Sequence, residues 1–188
     1  MNEIYYDYAD YWRHEGRLSK IDSLAFRLNK DHEAQEAPLI EAFKEVNPDT
    51  VLEIGAGWGR IVKLLKGQVL CEKYTAMDLS YDRLKMILDK SVERIVDDFY
   101  TYSSPDFPVY DLILAVELLM HIPPDIIDKF VEKMKLYGKT IIVLDYDPEQ
   151  PRDIELADHC FLHDYDKLFP ESIVVQVNYV QKLRVWKK

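Results

Sequence analysis

Glycine, cysteine and positive charge are all scarce in this chain. Six glycines occur in 188 residues, and three of them fall within the five positions 55–59. The two cysteines, Cys71 and Cys160, form neither a CxxC pair nor a recognisable metal-ligand spacing, which removes a disulfide framework from consideration. No apolar run is long enough to cross a bilayer and no secretory leader pattern is present. The expectation is a cytoplasmic protein with reduced thiols and no membrane partner. Acidic residues outnumber Lys and Arg by 34 to 24, a net charge of −10. Such a surface repels phosphate backbones unless it gathers its cations in one place. The basic clusters are short: Lys63 with Lys66; Lys133, Lys135 and Lys139; and Lys182, Arg184, Lys187 and Lys188 near the end. Each reads as a solvated face, so a nucleic-acid partner is disfavoured.

The length is that of one domain, and with 48 % hydrophobic residues it can bury a substantial core. Residues 1–36 differ in composition from the rest: Tyr5, Tyr6, Tyr8, Tyr11 and Trp12 stand among acids. Regular patterning fills residues 37–188. Leu39, Phe43 and Val46 recur at helical spacing before Pro48. Val51, Leu52 and Ile54 form a short buried run, and Ile61, Leu64 and Leu65 a helical stripe up to Gly67. "YTAMDLS" reads as a strand with an acid at its exit. Ser80 caps a following helix that should bury Leu84, Ile87 and Leu88. "ERIV", "YDLILAV" and "KTIIVLDY" are further strands, and "PPDIIDKFVEKM" is a helix burying Ile127, Phe130, Val131 and Met134. Strands apolar on both faces, alternating with amphipathic helices, predict a doubly wound α/β fold with helices on both faces of a mostly parallel sheet. "SIVVQVNYV" and "KLRVW" are too close for a helical crossover and predict a C-terminal antiparallel hairpin.

The clustered glycines lie in "VLEIGAGWGR", residues 51–60. A strand, a glycine-rich turn and a helix make a βα loop at the carboxyl end of a sheet. There, backbone amides and a helix N-terminus can approach a ligand closely. The dinucleotide fingerprint GxGxxG would put its third glycine at position 60, which is Arg60; here it is Gly59. Glu53, two residues before the loop, would repel a pyrophosphate and attract an ammonium.

On these residues the chain resembles the class I, Rossmann-like S-adenosylmethionine-dependent methyltransferases. "LEIGAGWGR" looks like their first motif, "AMDLS" the second, "IVDDF" the third, and "YDLILAVELLMHIPP" the fourth, in matching order over roughly residues 37–188. The resemblance implies a seven-stranded sheet, S-adenosylmethionine as cofactor and S-adenosylhomocysteine as product. It assigns Glu53 to the methionine amino group, directly or through water. Gly55, Ala56, Gly57 and Gly59 form the loop beside the methionine and ribose. Asp78 accepts the ribose hydroxyls and Leu79 lies on the adenine face. Asp98, favoured over its neighbour Asp97, accepts the adenine amine beside the Phe99 amide. Ala115 and Val116 line the cleft near the sulfonium, and Glu117 contacts the methionine end.

Other residues admit two readings. Arg60 either meets the cofactor carboxylate or is an exposed helix arginine, and Trp58 is expected to pack against the sheet. His121 is the candidate general base, but its family position is often structural. His159, Cys160 and His163 invite a metal reading. Their strand-like context need not bring the histidines together and no fourth ligand is evident, so no metal is expected. His163 and Asp145 could border an acceptor pocket. The aromatic segment within residues 1–36 reads as a lid over the cofactor or as an amphipathic cover. The acceptor is expected to be a small molecule, given the acidic charge and the absence of an "NPPY"-type tetrad after the fourth strand, where "AVEL" stands. The alternatives are a protein or RNA acceptor, a non-catalytic cofactor-binding scaffold or activator subunit, and a nicotinamide oxidoreductase, against which the GxGxG spacing and Glu53 count.

Overall fold

The structure, a computed structural model, describes residues 7–15, 30–68, 71–149 and 159–188. Seven strands form one sheet: β1 (Thr50–Ile54), β2 (Lys73–Asp78), β3 (Val92–Val96), β4 (Tyr110–Val116), β5 (Gly138–Tyr146), β6 (Ile173–Gln176) and β7 (Gln181–Lys187). Their order is β3-β2-β1-β4-β5-β7-β6. β1 to β5 pair in parallel, and β7 runs antiparallel to both neighbours. The expected fold and hairpin are thus found.

β1, β2, β4 and β5 are buried on both faces because helices cover both sides, whereas the edge strand β3 is largely exposed. On one face α2 (Lys30–Val46) and α3 (Arg60–Lys66) bring Leu39, Phe43, Ile61, Val62 and Leu65 against Val51, Leu112, Leu114 and Leu144. On the other, α5 (Ile127–Tyr137) and α6 (Tyr165–Leu168) bring Phe130, Val131, Met134 and Tyr165 against Leu52, Ile113, Ile141 and Val143. α1 (Tyr8–Glu15) and α4 (Tyr81–Leu84) are short. Ser80 caps α4 by accepting from the Arg83 amide at 3.3 Å. That helix stops after one turn, so Leu84 and Ile87 are buried but Leu88 is 86 % exposed, contrary to the expected stripe. The hairpin turn is held by Asn178, whose Oδ1 accepts the Val180 and Gln181 amides, both at 2.9 Å.

The strand order reverses direction between β1 and β4. Loops leaving those two strands diverge to opposite faces and open a crevice at the carboxyl ends of the sheet. Tyr5 and Tyr6 of the expected aromatic segment lie outside the described residues. Among those residues no helix is long and apolar enough to cross a membrane, and both cysteines are free.

Candidate active site

Loops from the carboxyl ends of the parallel strands line a cavity of about 390 Å³ in that crevice, within the range of small-ligand sites. Its floor is the glycine loop. Gly57 has a φ of +53°, and a Cβ placed there would meet no atom within 4 Å, so it would project into open space. Gly59, at φ +82°, has no such room: a Cβ would come within 2.6 Å of Ile87 Cγ1. Gly59 and Ala115 do not reach the cavity lining. Gly59 makes the turn into α3, and Ala115 is fully buried in the sheet. Ala115 therefore departs from its expected place beside the sulfonium, because alternate residues of β4 face opposite sides and its neighbour Val116 takes the wall.

Three acids from three successive strand exits face this space. Glu53 is buried and accepts a hydrogen bond from the Tyr74 hydroxyl at 2.7 Å. Burial pushes its carboxyl up to about 8, although Tyr74 and the Arg60 charge pull the other way. Asp78 ties the β2 exit to the glycine loop: Oδ2 accepts the Gly57 amide and Oδ1 the Ser80 amide, both at 2.8 Å. Burial raises its pKa, and the two amides oppose that rise. A carboxylate has about four lone-pair sites, so acceptor capacity remains. Asp98 is buried and accepts the Tyr8 hydroxyl at 2.7 Å and the Tyr100 amide at 2.9 Å. Its neighbour Asp97 is exposed and accepts the Asp98 amide at 2.7 Å. Leu79 and Phe99 complete this end of the wall.

Glu117, at the β4 exit, occupies the left-handed region with a φ of +52°, a conformation that costs a side-chain-bearing residue about 1–2 kcal/mol. Its amide donates to Leu144 O at 2.8 Å, and its carboxylate is clasped from three other elements. Gln35 and Gln181 donate to Oε1 at 3.0 and 2.9 Å, while Arg60 and His32 approach Oε2 at 3.4 Å. Burial pushes this carboxyl up, but the donors His32, Arg60 and Gln181 outweigh it and hold the pKa below the ordinary value. Arg60 also donates to Gln35 Oε1 at 2.7 Å. It is three-quarters or more covered, not an exposed helix arginine. Sequence reasoning missed Gln35, His32 and Gln181 here. Their only signal is burial of polar side chains, which a one-dimensional pattern does not display. Trp58, expected to pack against the sheet, lies in the cavity wall.

The far side of the cavity carries the histidines. His121 follows β4 in a 3₁₀ turn, Leu119–His121. Burial pushes its pKa down to about 4, so the ring is neutral at pH 7. His159 lies above it, with ring centroids 5.3 Å apart. His163 and Asp145, expected near an acceptor pocket, instead fix that turn from behind. His163 Nε2 lies 3.0 Å from the carbonyl oxygens of Leu119 and Ile122, and Asp145 Oδ2 accepts the Leu119 amide at 2.9 Å. Neither lines the cavity. α1 covers this side: the Trp12 ring meets His121 edge-on at 4.6 Å, and Arg83 lies 5.4 Å from the same indole.

Comparisons with known proteins bear on the domain and the fold. Residues 51–140 match the methyltransferase domain family. The malonyl-(acyl-carrier protein) O-methyltransferase of Neorickettsia risticii (strain Illinois) is 33 % identical over 103 residues, which cover 53 % of this chain and 40 % of that protein. The match thus spans less than half the length of that curated relative. The N-methyltransferase NodS of Bradyrhizobium japonicum WM9, solved with S-adenosyl-L-homocysteine, superposes with a TM-score of 0.73 at 13 % identity, covering 97 % of this chain and 99 % of its own. Magnesium protoporphyrin IX methyltransferase of Synechocystis PCC 6803, solved with bound S-adenosylmethionine, gives 0.67 at 12 % identity, covering 98 % and 99 %. Residues 51–140 thus carry the match to a methyltransferase domain, and the sheet has the fold of these solved methyltransferases.

Proposed function

We propose that the protein transfers a methyl group from S-adenosylmethionine to a small-molecule acceptor. The carrying observation is the alignment of Glu53, Asp78 and Asp98 along one cavity over the glycine loop. An amino acid joined to an adenosine presents an ammonium, a ribose diol and an adenine amine, three donor groups that match three carboxyl acceptors in that order. The open space at Gly57 is the second fitting feature, since it lets the chain run close to the ligand without a side chain in the way.

The bound cofactor supplies a methyl group already activated by the sulfonium. The chain's own work is then orientation and exclusion of water. Glu53 holds the amino group, and Arg60, drawn toward the same end, faces the carboxylate. Asp78 holds the diol while keeping Gly57 and Ser80 in place. Tyr8 and Trp12 close the cavity from α1 and act as the lid. His121 stands on the acceptor side, where a pKa of about 4 makes it a weak base; it borders the acceptor rather than driving the reaction by proton abstraction. The cavity size and the net charge of −10 favour a small acceptor over a polyanion, as does the small-molecule name of the magnesium protoporphyrin IX neighbour.

The test is parallel calorimetric titration with S-adenosylmethionine, S-adenosylhomocysteine and NAD, followed by a screen for methyl transfer to small thiols, amines, hydroxyls and carboxylates. Binding of the first two and turnover with one acceptor class are expected. Binding of NAD alone, or of none of the three, overturns the proposal.

A further inference from the structure

His121 lies far from the adjacent pair His159 and Cys160 in the sequence, but the three converge in space. One nitrogen from each imidazole and the Cys160 sulfur all lie within 4.8 Å of one another. Nδ1 of His121 is 3.6 Å from Cys160 Sγ. Two ligands on one tetrahedral zinc, at about 2.0–2.1 Å for nitrogen and 2.3 Å for sulfur, stand about 3.6 Å apart. That pair already has ligand spacing. The third atom needs a shift of roughly an ångström, within reach of a side-chain rotation.

The surroundings suit a cation held by soft and borderline ligands. Trp12 meets the two imidazoles edge-on, at 4.6 Å to His121 and 5.7 Å to His159, and Tyr11 stacks on His159 at 4.8 Å. This aromatic shell limits water on one side, and such shells tune metal affinity. On the other side both histidines line the cavity. Three protein ligands with an open position toward a ligand cavity is the pattern of a catalytic, not a structural, zinc site.

We propose that His121, His159 and Cys160 bind a zinc-class divalent cation whose fourth position faces the cavity and receives the acceptor's thiol or hydroxyl. Cation binding stands by itself, whereas the acceptor role rests on the methyltransferase reading above. On coordination the acceptor loses its proton to solvent. The resulting anion donates its lone pair to the methyl carbon as the carbon–sulfur bond breaks, and that electron pair returns to sulfur. No oxidant or second substrate is needed. The arrangement also gives His121 a role that its weak basicity does not.

The experiment is a Co²⁺ titration of the tag-free, chelator-treated full chain, read by absorption. One equivalent should bind, with visible bands of tetrahedral cobalt and a sulfur-to-cobalt charge-transfer band in the near ultraviolet. Cys160→Ser and His159→Asn should abolish the charge-transfer band and stoichiometric uptake, respectively, while melting temperatures confirm that both variants are folded. Cys71→Ser should change neither. Adding 2-mercaptoethanol to the cobalt protein should shift the visible bands if the fourth position is open. Absence of stoichiometric uptake, or a charge-transfer band that survives Cys160→Ser, overturns the site. Calorimetry with S-adenosylmethionine on the same chelated sample separates the two proposals. A cobalt spectrum without cofactor binding leaves the cation site standing and overturns its acceptor role.

Discussion

Glu53 is the residue at which the proposed cofactor's charge and the protein's protonation state meet. With its carboxyl pushed up to about 8 by burial, it is protonated at pH 7 in the free protein, whereas an ammonium contact requires the carboxylate. Cofactor binding should therefore release a proton. Affinity should rise by up to about tenfold per pH unit below 8, then fall once the ligand's own amine, near pKa 8, loses its proton. Calorimetry in two buffers of different ionisation enthalpy checks this, and Glu53→Gln should flatten the acid limb. The linked stability runs the other way. A carboxyl with a folded-state pKa raised from 4.5 to about 8 contributes stability that is present below 4.5 and lost as pH rises to 8. Without cofactor, Glu53→Gln should melt above wild type at pH 8, with the gap shrinking toward pH 5. At Asp78, replacement by Ala removes the acceptor of the Gly57 and Ser80 amides. Charge-assisted bonds of this kind are worth about 1.5–3 kcal/mol each, so S-adenosylmethionine affinity should drop about tenfold or more. Gly57→Val should do the same by placing a side chain in the cavity from a left-handed backbone position.

At the scale of elements, α1 contributes to the cavity and little to the sheet's cores. Tyr8 packs at the margin of one core and donates to Asp98, and Trp12 covers His121. Deleting residues 1–16 should raise the S-adenosylmethionine Kd about tenfold or more, since two aromatic contacts and one hydrogen bond to a carboxylate are lost. The melting temperature should move by only a few degrees. A chain that loses its cooperative melt on this deletion, or one with unchanged affinity, would contradict the lid. The bend after β4 behaves differently. Its strained Glu117 is held by partners from α2, α3 and β7, so its geometry belongs to no single element.

For the whole molecule, Gln181 shows how the C-terminal hairpin reaches the site. Its side chain is fully buried, donates to Glu117 and accepts from Gln35 and Asn178. Gln181→Leu keeps the volume and removes one hydrogen bond each from Glu117, Gln35 and Asn178, worth about 0.5–1.5 kcal/mol apiece and more at the charged Glu117. We expect a melting temperature lower by roughly 5–10 °C together with weaker cofactor binding, measured by calorimetry below the melt. Unchanged affinity in a destabilised variant would limit Gln181 to a structural role.

Strands, helices and the glycine loop were legible in the chain because they follow from local patterns: apolar runs, helical spacing, a capping Ser80 and glycines where φ is positive. The acids proposed to hold the cofactor were legible through the family resemblance, whose motifs place them at or near the ends of readable strands. Leu88 failed because helix length depends on what the next turn can bury, and α4 has nothing to cover beyond Ile87. The clasp on Glu117 and the meeting of His121 with His159 and Cys160 were decided by tertiary structure alone. Residues 35 and 181, or 121 and 160, share no periodicity, and only the closing of the sheet brings them within hydrogen-bond or ligand distance. The sequence by itself determined the elements and the loop chemistry of the cleft. Tertiary structure decided which buried polar groups face one another, because that pairing is set by long-range packing rather than by neighbours along the chain.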